Sequence, residues 1–203
     1  MNNYNELPVL LDQEIIDRAS AFGSAELCDG MKGLGVPNDG CMAWDIMPLE
    51  KNMKMVGTAC TVETEDGDNF PIHVAIYQGK PGYVLVIDGK NYKERTYLGD
   101  LMGAAAKAIG FNGIVCDGCV RDRLGLEALD LPIFSRGILQ HTPAKKGPGK
   151  INVPIMCGGV KVNPGDLILG DCDGVTVVPK ELITTVLDKA EEKLEYEKTQ
   201  IKN

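Results

Sequence analysis

The chain has 203 residues, 44% hydrophobic and 25% charged, which is enough to bury a core within one domain. A net charge of −8 argues against broad binding to nucleic acid or to anionic membranes, yet leaves room for a small anion held by a local arginine. No stretch approaches the roughly 20 apolar residues of a membrane span, and the opening "MNNYNELPVLLDQE" has neither the basic region nor the apolar run of a signal peptide. The seven cysteines are odd in number and scattered, which reads as reduced thiols in a cytoplasmic protein.

In chain order, "DQEIIDRASAF" (12–22) sets Ile15, Ile16, Ala19 and Phe22 on one helical face. "GSAELCDGM" restarts a helix with Ser24 as its N-cap, so a helical segment is expected over about 10–35. "GTACTVET" (57–64) alternates and is rich in Thr and Val, the pattern of a strand. In "NFPIHVAI" His73 follows an alternating pattern, as a core or interface histidine would. "YVLVID" (83–88) is a continuously apolar strand of the kind covered on both faces. "GDLMGAAAKAIG" (99–110) is an Ala-rich helix stopped by glycine, and "GIVCDG" (113–118) is the next buried strand.

Together these three segments have the size of a parallel strand–helix–strand unit. Short strands follow at 131–135, 151–156, 159–162, 166–169 and 174–178, with a Pro/Gly/Lys loop at 141–150. Pro179 opens a last helix, about 179–200, at the favoured first position. Leu182, Ile183, Val186, Leu187, Ala190 and Leu194 form its apolar stripe, and its tail "KAEEKLEYEKTQIKN" is a solvated charged face. No internal repeat and no linker divides residues 1–203.

The parallel unit has a chemical consequence. The start of its helix and the end of its second strand lie at one sheet edge, where open α/β sheets bind ligands. Gly99–Met102 and Arg121–Asp122 therefore share a crevice. There the N–H groups of Leu101 and Met102 can face an anion, Arg121 can grip it through paired hydrogen bonds, and Asp100 and Asp122 can hold Mg²⁺ or Mn²⁺ with waters still bound. The same residues also admit a plain reading, with Asp100 as an ordinary helix cap and Arg121–Asp122 as a surface ion pair. Cys116 and Cys119 make a C-x-x-C pair, but Cys116 sits in a buried strand and no nearby His completes a zinc site, so neither redox nor zinc chemistry is expected of it. "GDCDGVTVVP" (170–179) begins like a calcium loop, lacks the later Glu and reads as a turn.

At these residues the sequence resembles the RraA-like family, which includes the class II 4-hydroxy-4-methyl-2-oxoglutarate/4-carboxy-4-hydroxy-2-oxoadipate aldolases. The carrier is Asp100, twenty intervening residues, then Arg121-Asp122, supported by "GTACTV", "DNFPIHVAI", "LVIDG", "LPIFSRG", "GPGKINVPI" and "GGVKVNPGDLILGDCDGVTVVP" in order over roughly 20–190.

The resemblance implies a swivelling β/β/α three-layer domain of the α/β class with a C-terminal helix, assembled as a homotrimer or homohexamer with sites between subunits. It implies that Gly99, Asp100, Leu101 and Met102 form a pyruvate-binding turn, that Arg121 contacts the pyruvate moiety, that Asp122 is the metal ligand and that Asp100 holds metal-bound water. A glutamate from a neighbouring C-terminal region completes such sites, and Glu191, Glu192 and Glu195 are the candidates.

The implied activity is divalent-metal-dependent cleavage of a 4-hydroxy-2-oxo acid to pyruvate. Oxaloacetate decarboxylation is expected through the same enolate, and the partner is a small 2-oxo acid rather than nucleic acid or membrane. The alternative within the family is a protein-binding regulator of the ribonuclease-inhibitor type, without catalysis.

Overall fold

The computed structural model describes residues 3–201. The chain opens with β1 (Asn3–Tyr4), then α1 (Gln13–Ser20), α2 (Ser24–Met31), β2 (Met47–Pro48), β3 (Met55–Thr64), α3 (Phe70–Gln78) and β4 (Tyr83–Leu98). It continues through α4 (Asp100–Ile109), β5 (Gly113–Val120), α5 (Arg123–Glu127), β6 (Ile133–Ile138), β7 (Gly149–Ile151), β8 (Ile155–Cys157) and β9 (Val160–Val162). It ends with β10 (Leu167–Asp171), β11 (Gly174–Val178) and α6 (Ile183–Ile201).

The sheet runs β1-β7-β3-β4-β5-β6-β2, with β10 pairing both β3 and β11, while β8 and β9 form a separate hairpin. β3, β4, β5 and β6 are parallel neighbours.

The apolar runs are continuous because both sheet faces are covered. Leu85, Ile87, Ile114 and Cys116 turn to one side and join Ile72, Ile76, Met102, Ala106 and Leu126 of α3, α4 and α5. Val84, Val86 and Val115, one residue out of phase, turn to the other and meet Ile155, Val160, Ile168 and Val177 of the β8–β11 segments. A third cluster packs α1, α2 and α6 on Val56, Leu167, Leu169 and Val178. It takes in the whole expected stripe from Leu182 to Leu194. This is the mixed α/β architecture with a C-terminal helix that the sequence implies. The last two residues of the charged tail lie outside the described residues, and among those described no helix is long and apolar enough to cross a membrane.

Several local expectations change. β4 does not stop at 88. It makes an excursion through Lys90 and Asn91, both at positive φ, and rejoins β5 with Leu98 beside Val120. Residues 151–156 are not one strand but the end of β7 and the start of β8.

Ser24 is not the cap of α2. Gly23 is, its N–H bonded to Glu26 Oε2 (2.6 Å), while the Ser24 hydroxyl donates to Asp171 Oδ1 (2.7 Å). Asp171 thereby fixes the β10–β11 hairpin to α2, and the stretch read as a turn does turn the chain, at Cys172 and Asp173 between the two strands. Pro179 precedes a 3₁₀ turn at Lys180–Leu182, and α6 starts only at Ile183.

Cys28 and Cys41 are disulfide-bonded, their Cα atoms 6.3 Å apart. The expectation of seven free thiols is thus corrected. The two cysteines lie on segments whose meeting depends on tertiary packing. Cys60, Cys116, Cys119, Cys157 and Cys172 are free.

A buried polar group links the sheet to the loops. Asp117, 5% exposed, accepts from Arg136 Nε (2.5 Å) and from the Gly158 N–H (2.7 Å), and Arg136 also pairs with Asp45. Asp88 lies nearby, and burial, reinforced by the charges of Asp117 and Glu63, pushes its carboxyl up to about 6 from an ordinary 3.8. The fold therefore favours protonated Asp88. That contribution is complete below pH 4 and is lost as pH rises through 6. Asp88→Asn, which can still accept from the Lys90 N–H (3.1 Å), should flatten stability between pH 4 and 6. At pH 7 it should add roughly 1–3 kcal/mol in urea denaturation, since each tenfold change in proton affinity is worth ~1.4 kcal/mol.

Candidate active site

Parallel pairing of β4 with β5 brings the two halves of the expected crevice together. Leu98 sits beside Val120, and the Arg121 N–H donates to the Leu98 carbonyl (3.0 Å), so the next residues of each strand emerge side by side. Gly99 caps α4 in extended conformation, and Asp100 is that helix's first residue. Gly99 is needed for close approach: a Cβ there would collide with Asp122 Oδ2 and press on Arg121 Cγ at 3.1 Å. Asp122 caps α5 at φ 59°, ψ 45°, a left-handed conformation that Asp tolerates better than most residues.

The resulting cleft, about 160 Å³, is bounded by Gly99–Met102, Arg121, Asp122, Asn69, His73, Thr142, Pro143 and Lys145. The residues expected at one site, Gly99–Met102 with Arg121 and Asp122, are therefore neighbours. Arg121 Nε lies 3.3 Å from Asp122 Oδ2, and Arg121 Nη1 donates to Thr142 Oγ1 (3.3 Å). Both side chains keep about two-fifths of their surface in solvent, 37% and 42%. So exposed a pair contributes little to stability; its geometry instead holds the guanidinium facing the cleft.

The turn's N–H groups differ from expectation. Leu101 N–H donates to Asp100 Oδ1 (2.7 Å) and Met102 N–H to the Gly99 carbonyl (3.1 Å). An anion at this helix end would share or displace these bonds rather than meet unpaired donors.

Glu191, Glu192 and Glu195 lie on α6, whose buried side packs with α1 and α2 away from the cleft. Glu191 is bonded to Arg18 Nε (3.1 Å) and Glu195 to Lys198 Nζ (2.6 Å). Within one chain they do not join the site.

Sequence patterns alone do not mark Asn69, His73 and Lys145 as site residues. "NFPIHVAI" alternates as a strand would, but Asn69 caps α3 and Pro71 occupies its first turn, which are the helix-start signals that outweigh the alternation. Asn69 Nδ2 donates to Met102 Sδ (3.3 Å). Asn69 Oδ1 and His73 Nε2 are buried and have no hydrogen-bond partner among the described residues. Asp68 ties α3 to the 141–150 loop: its carboxylate accepts from the N–H groups of Phe70 (2.9 Å), Lys146 (2.5 Å) and Gly147 (3.3 Å). Thr96 and Arg95 anchor the start of that loop through the carbonyls of His141 and Thr142, both at 2.8 Å. The Pro/Gly/Lys loop is thus a fixed wall of the cleft.

The C-x-x-C pair stays outside this chemistry. Cys116 is fully buried in β5 and its thiol is held well above its usual range, chiefly by desolvation; Cys119 is raised for the same reason.

A profile of the RraA-like family, described as aldolase/RraA, matches residues 24–177. The chain belongs to the RraA-like family. A relative from Halalkalibacterium halodurans, provisionally named a 4-hydroxy-4-methyl-2-oxoglutarate aldolase, is 48% identical over 148 residues, spanning 73% of this chain and 70% of its own. One from Albidiferax ferrireducens with the same provisional name is 32% identical over 176 residues, 80% of this chain and 98% of its own. The crystal structure of Streptomyces coelicolor RraAS2, described as an unusual member of the RNase ES inhibitor RraA family, superposes with a TM-score of 0.82 at 27% identity. It covers 93% of this chain and 97% of that one.

His73 offers a direct probe of this RraA-like cleft. Burial, aided by the charge of Lys145, holds its imidazole below the ordinary 6.5. His73 and His141 are the chain's two histidines, so their ring protons are readily assigned by NMR. His73 should titrate below 6.5, and Lys145→Ala should move its midpoint upward.

Proposed function

We propose that the chain is a divalent-metal-dependent carbon–carbon lyase that releases pyruvate from a 4-hydroxy-2-oxo acid of the 4-hydroxy-4-methyl-2-oxoglutarate type, and that also decarboxylates oxaloacetate. The observation that carries this reading is the convergence of Asp100, Arg121 and Asp122 in one cleft at the ends of β4 and β5. The names of the two relatives support the same chemistry.

The donor set fits a hard cation. Two half-exposed carboxylates offer oxygen ligands and leave room for water, which is how Mg²⁺ and Mn²⁺ are commonly held. Asp122 is the direct ligand in this reading, with Asp100 in support. When bound, the ion supplies Lewis-acid polarisation of the substrate's 2-keto oxygen.

Arg121 binds the carboxylate beside that keto group, and its charge stabilises the enolate that forms as the C3–C4 bond breaks. Asp100 orients a water that takes the proton of the C4 hydroxyl as C4 becomes a carbonyl and the C3–C4 pair passes into the enolate, and that then gives a proton back to C3. The Lys145 ammonium, at the cleft wall, suits a carboxylate on the departing half. Both products of cleavage leave through the open side of the cleft.

That open side also supports assembly. Leu101 and Leu124 are 84% and 81% exposed, and Phe70 and Ile138 are more than two-fifths exposed. Of these, Leu101 lines the cleft itself, and Leu124 and Phe70 follow the cleft residues Asp122 and Asn69 closely in the chain. A cleft of about 160 Å³ is also smaller than the ~300 Å³ at which small-molecule pockets usually begin. A second copy of the chain in a trimer or hexamer would supply the missing wall, and with it a glutamate from its own α6.

The test is pyruvate release from oxaloacetate and from 4-hydroxy-2-oxo acids, coupled to lactate dehydrogenase, with Mg²⁺ and with EDTA. Asp122→Ala should abolish turnover and weaken Mn²⁺ binding. Arg121→Ala should keep Mn²⁺ affinity but lower kcat/KM by ~10²–10³, the scale of losing one transition-state charge stabiliser. Arg121→Lys should restore little of it, since a point charge does not reproduce a planar two-pronged grip. Turnover that is indifferent to EDTA and to Asp122→Ala would refute the proposal.

A further inference from the structure

β4 and β5 fall out of step before they meet at Leu98 and Val120. Tyr92 lies beside Gly118 and Thr96 beside Cys119, so Lys93, Glu94 and Arg95 bulge out of the ladder with no β5 residue opposite them. Bulges commonly re-aim side chains next to sites, and this one reaches the loop that walls the cleft. His141 Nδ1 donates to the Glu94 carbonyl (2.6 Å), and Arg95 Nη1 donates to the Thr142 carbonyl (2.8 Å). Buried Thr96 donates to the His141 carbonyl twice, from its N–H (3.1 Å) and its hydroxyl (2.8 Å).

The far side of Thr142 is tied as well. The Ala144 N–H donates to the Gly67 carbonyl (2.8 Å), the Asn69 N–H donates to the Ala144 carbonyl (3.0 Å), and Pro143 between them has a fixed φ. Thr142 is thus an exposed side chain on a backbone anchored before and after it.

That backbone presents one oxygen to one nitrogen. Thr142 Oγ1 accepts from Arg121 Nη1 (3.3 Å), while Arg121 Nε lies 3.3 Å from Asp122 Oδ2. Among the described residues Arg121 Nη2 has no partner. A half-exposed arginine held at one point keeps much of its rotamer freedom. Held at two, its guanidinium has a defined plane, and the remaining N–H groups are left for a planar carboxylate. The two tethers differ in kind. Asp122 is an anion, and in the reading above it also serves a cation. The Thr142 hydroxyl is neutral, so it orients the guanidinium without offsetting its charge.

We propose that Thr142 is a positioning residue: resting on the carboxylate-binding role given above to Arg121, it fixes the plane of that guanidinium, and the β4 bulge braces it through Arg95 and Thr96. The excursion of β4 then has a purpose, which is to carry the brace from the sheet to the loop.

The test is NMR of the intact, ligand-free protein carrying ¹⁵N-arginine, with the Arg121 signal identified as the one lost in Arg121→Lys. Rotation of the guanidinium about Nε–Cζ should be slow in the wild type, faster in Thr142→Val and slow again in Thr142→Ser, which restores the oxygen. Arg95→Ala should speed it as well. Because Thr142 is exposed, circular dichroism should not change. With oxaloacetate and Mg²⁺, Thr142→Val should lower kcat/KM about tenfold, the scale of one hydrogen bond to a charged group. The loss should fall mostly on KM, since substrate and enolate carry the same carboxylate, and Mn²⁺ affinity should stay at the wild-type value. Thr142→Ser should recover most of it. Rotation that is indifferent to Thr142→Val, or a kinetic loss that Thr142→Ser does not recover, overturns the proposal. A wild type that turns over no substrate refutes the lyase reading instead, and the rotation rates still decide the role of Thr142.

Discussion

The arrangement of this protein depends on one backbone constraint: after its excursion, β4 returns to pair with β5, and Leu98 meets Val120. A strand that ended at residue 88 would leave the start of α4 to be placed by a loop. Here the last rungs of a parallel ladder place it, and the Arg121 N–H is bonded to the Leu98 carbonyl. The two residues after each strand then stand so close that a side chain at 99 would have to displace the Asp122 carboxylate. Asp122 must also turn through a left-handed conformation to cap α5. The functional groups are thus carried by rigid elements, with the sheet fixing their spacing.

The wall formed by residues 141–150 adds a second kind of order. Polar groups hold it from both ends: the buried carboxylate of Asp68 on one side, Thr96 and Arg95 on the other. A buried carboxylate that accepts several backbone N–H groups gives an irregular segment the definition of a secondary element. It also couples the position of Lys145 to that of Asn69, which follows Asp68 directly.

What the sequence revealed follows from how local each signal is. The unit from β4 through α4 to β5 was readable because its apolar runs, its glycine stops and the handedness of parallel crossovers are short-range rules. The meeting of Asp100 with Arg121 and Asp122 followed from them. The apolar stripe of α6 was readable for the same reason. The excursion in β4 was hidden because its polar residues, Lys90 to Arg95, look like a loop that never rejoins a sheet. Asn69 and His73 were hidden because alternation in "NFPIHVAI" imitates a strand, and only the cap and the early proline tell otherwise. The Cys28–Cys41 bond, the split between β7 and β8 and the wall at 141–150 all depend on contacts between distant segments. No local pattern encodes them.

The central claim is that this cleft generates and protonates the enolate of pyruvate. The most direct measurement removes the rest of the substrate. Pyruvate itself is incubated with the protein and Mg²⁺ in deuterium oxide, and the methyl protons are followed by NMR. The account predicts that the methyl signal decays into deuterated species far faster than without protein, that EDTA stops the exchange, and that Arg121→Ala slows it strongly. Pyruvate that binds yet keeps its protons, or an exchange rate unaffected by EDTA and by Arg121→Ala, would contradict it.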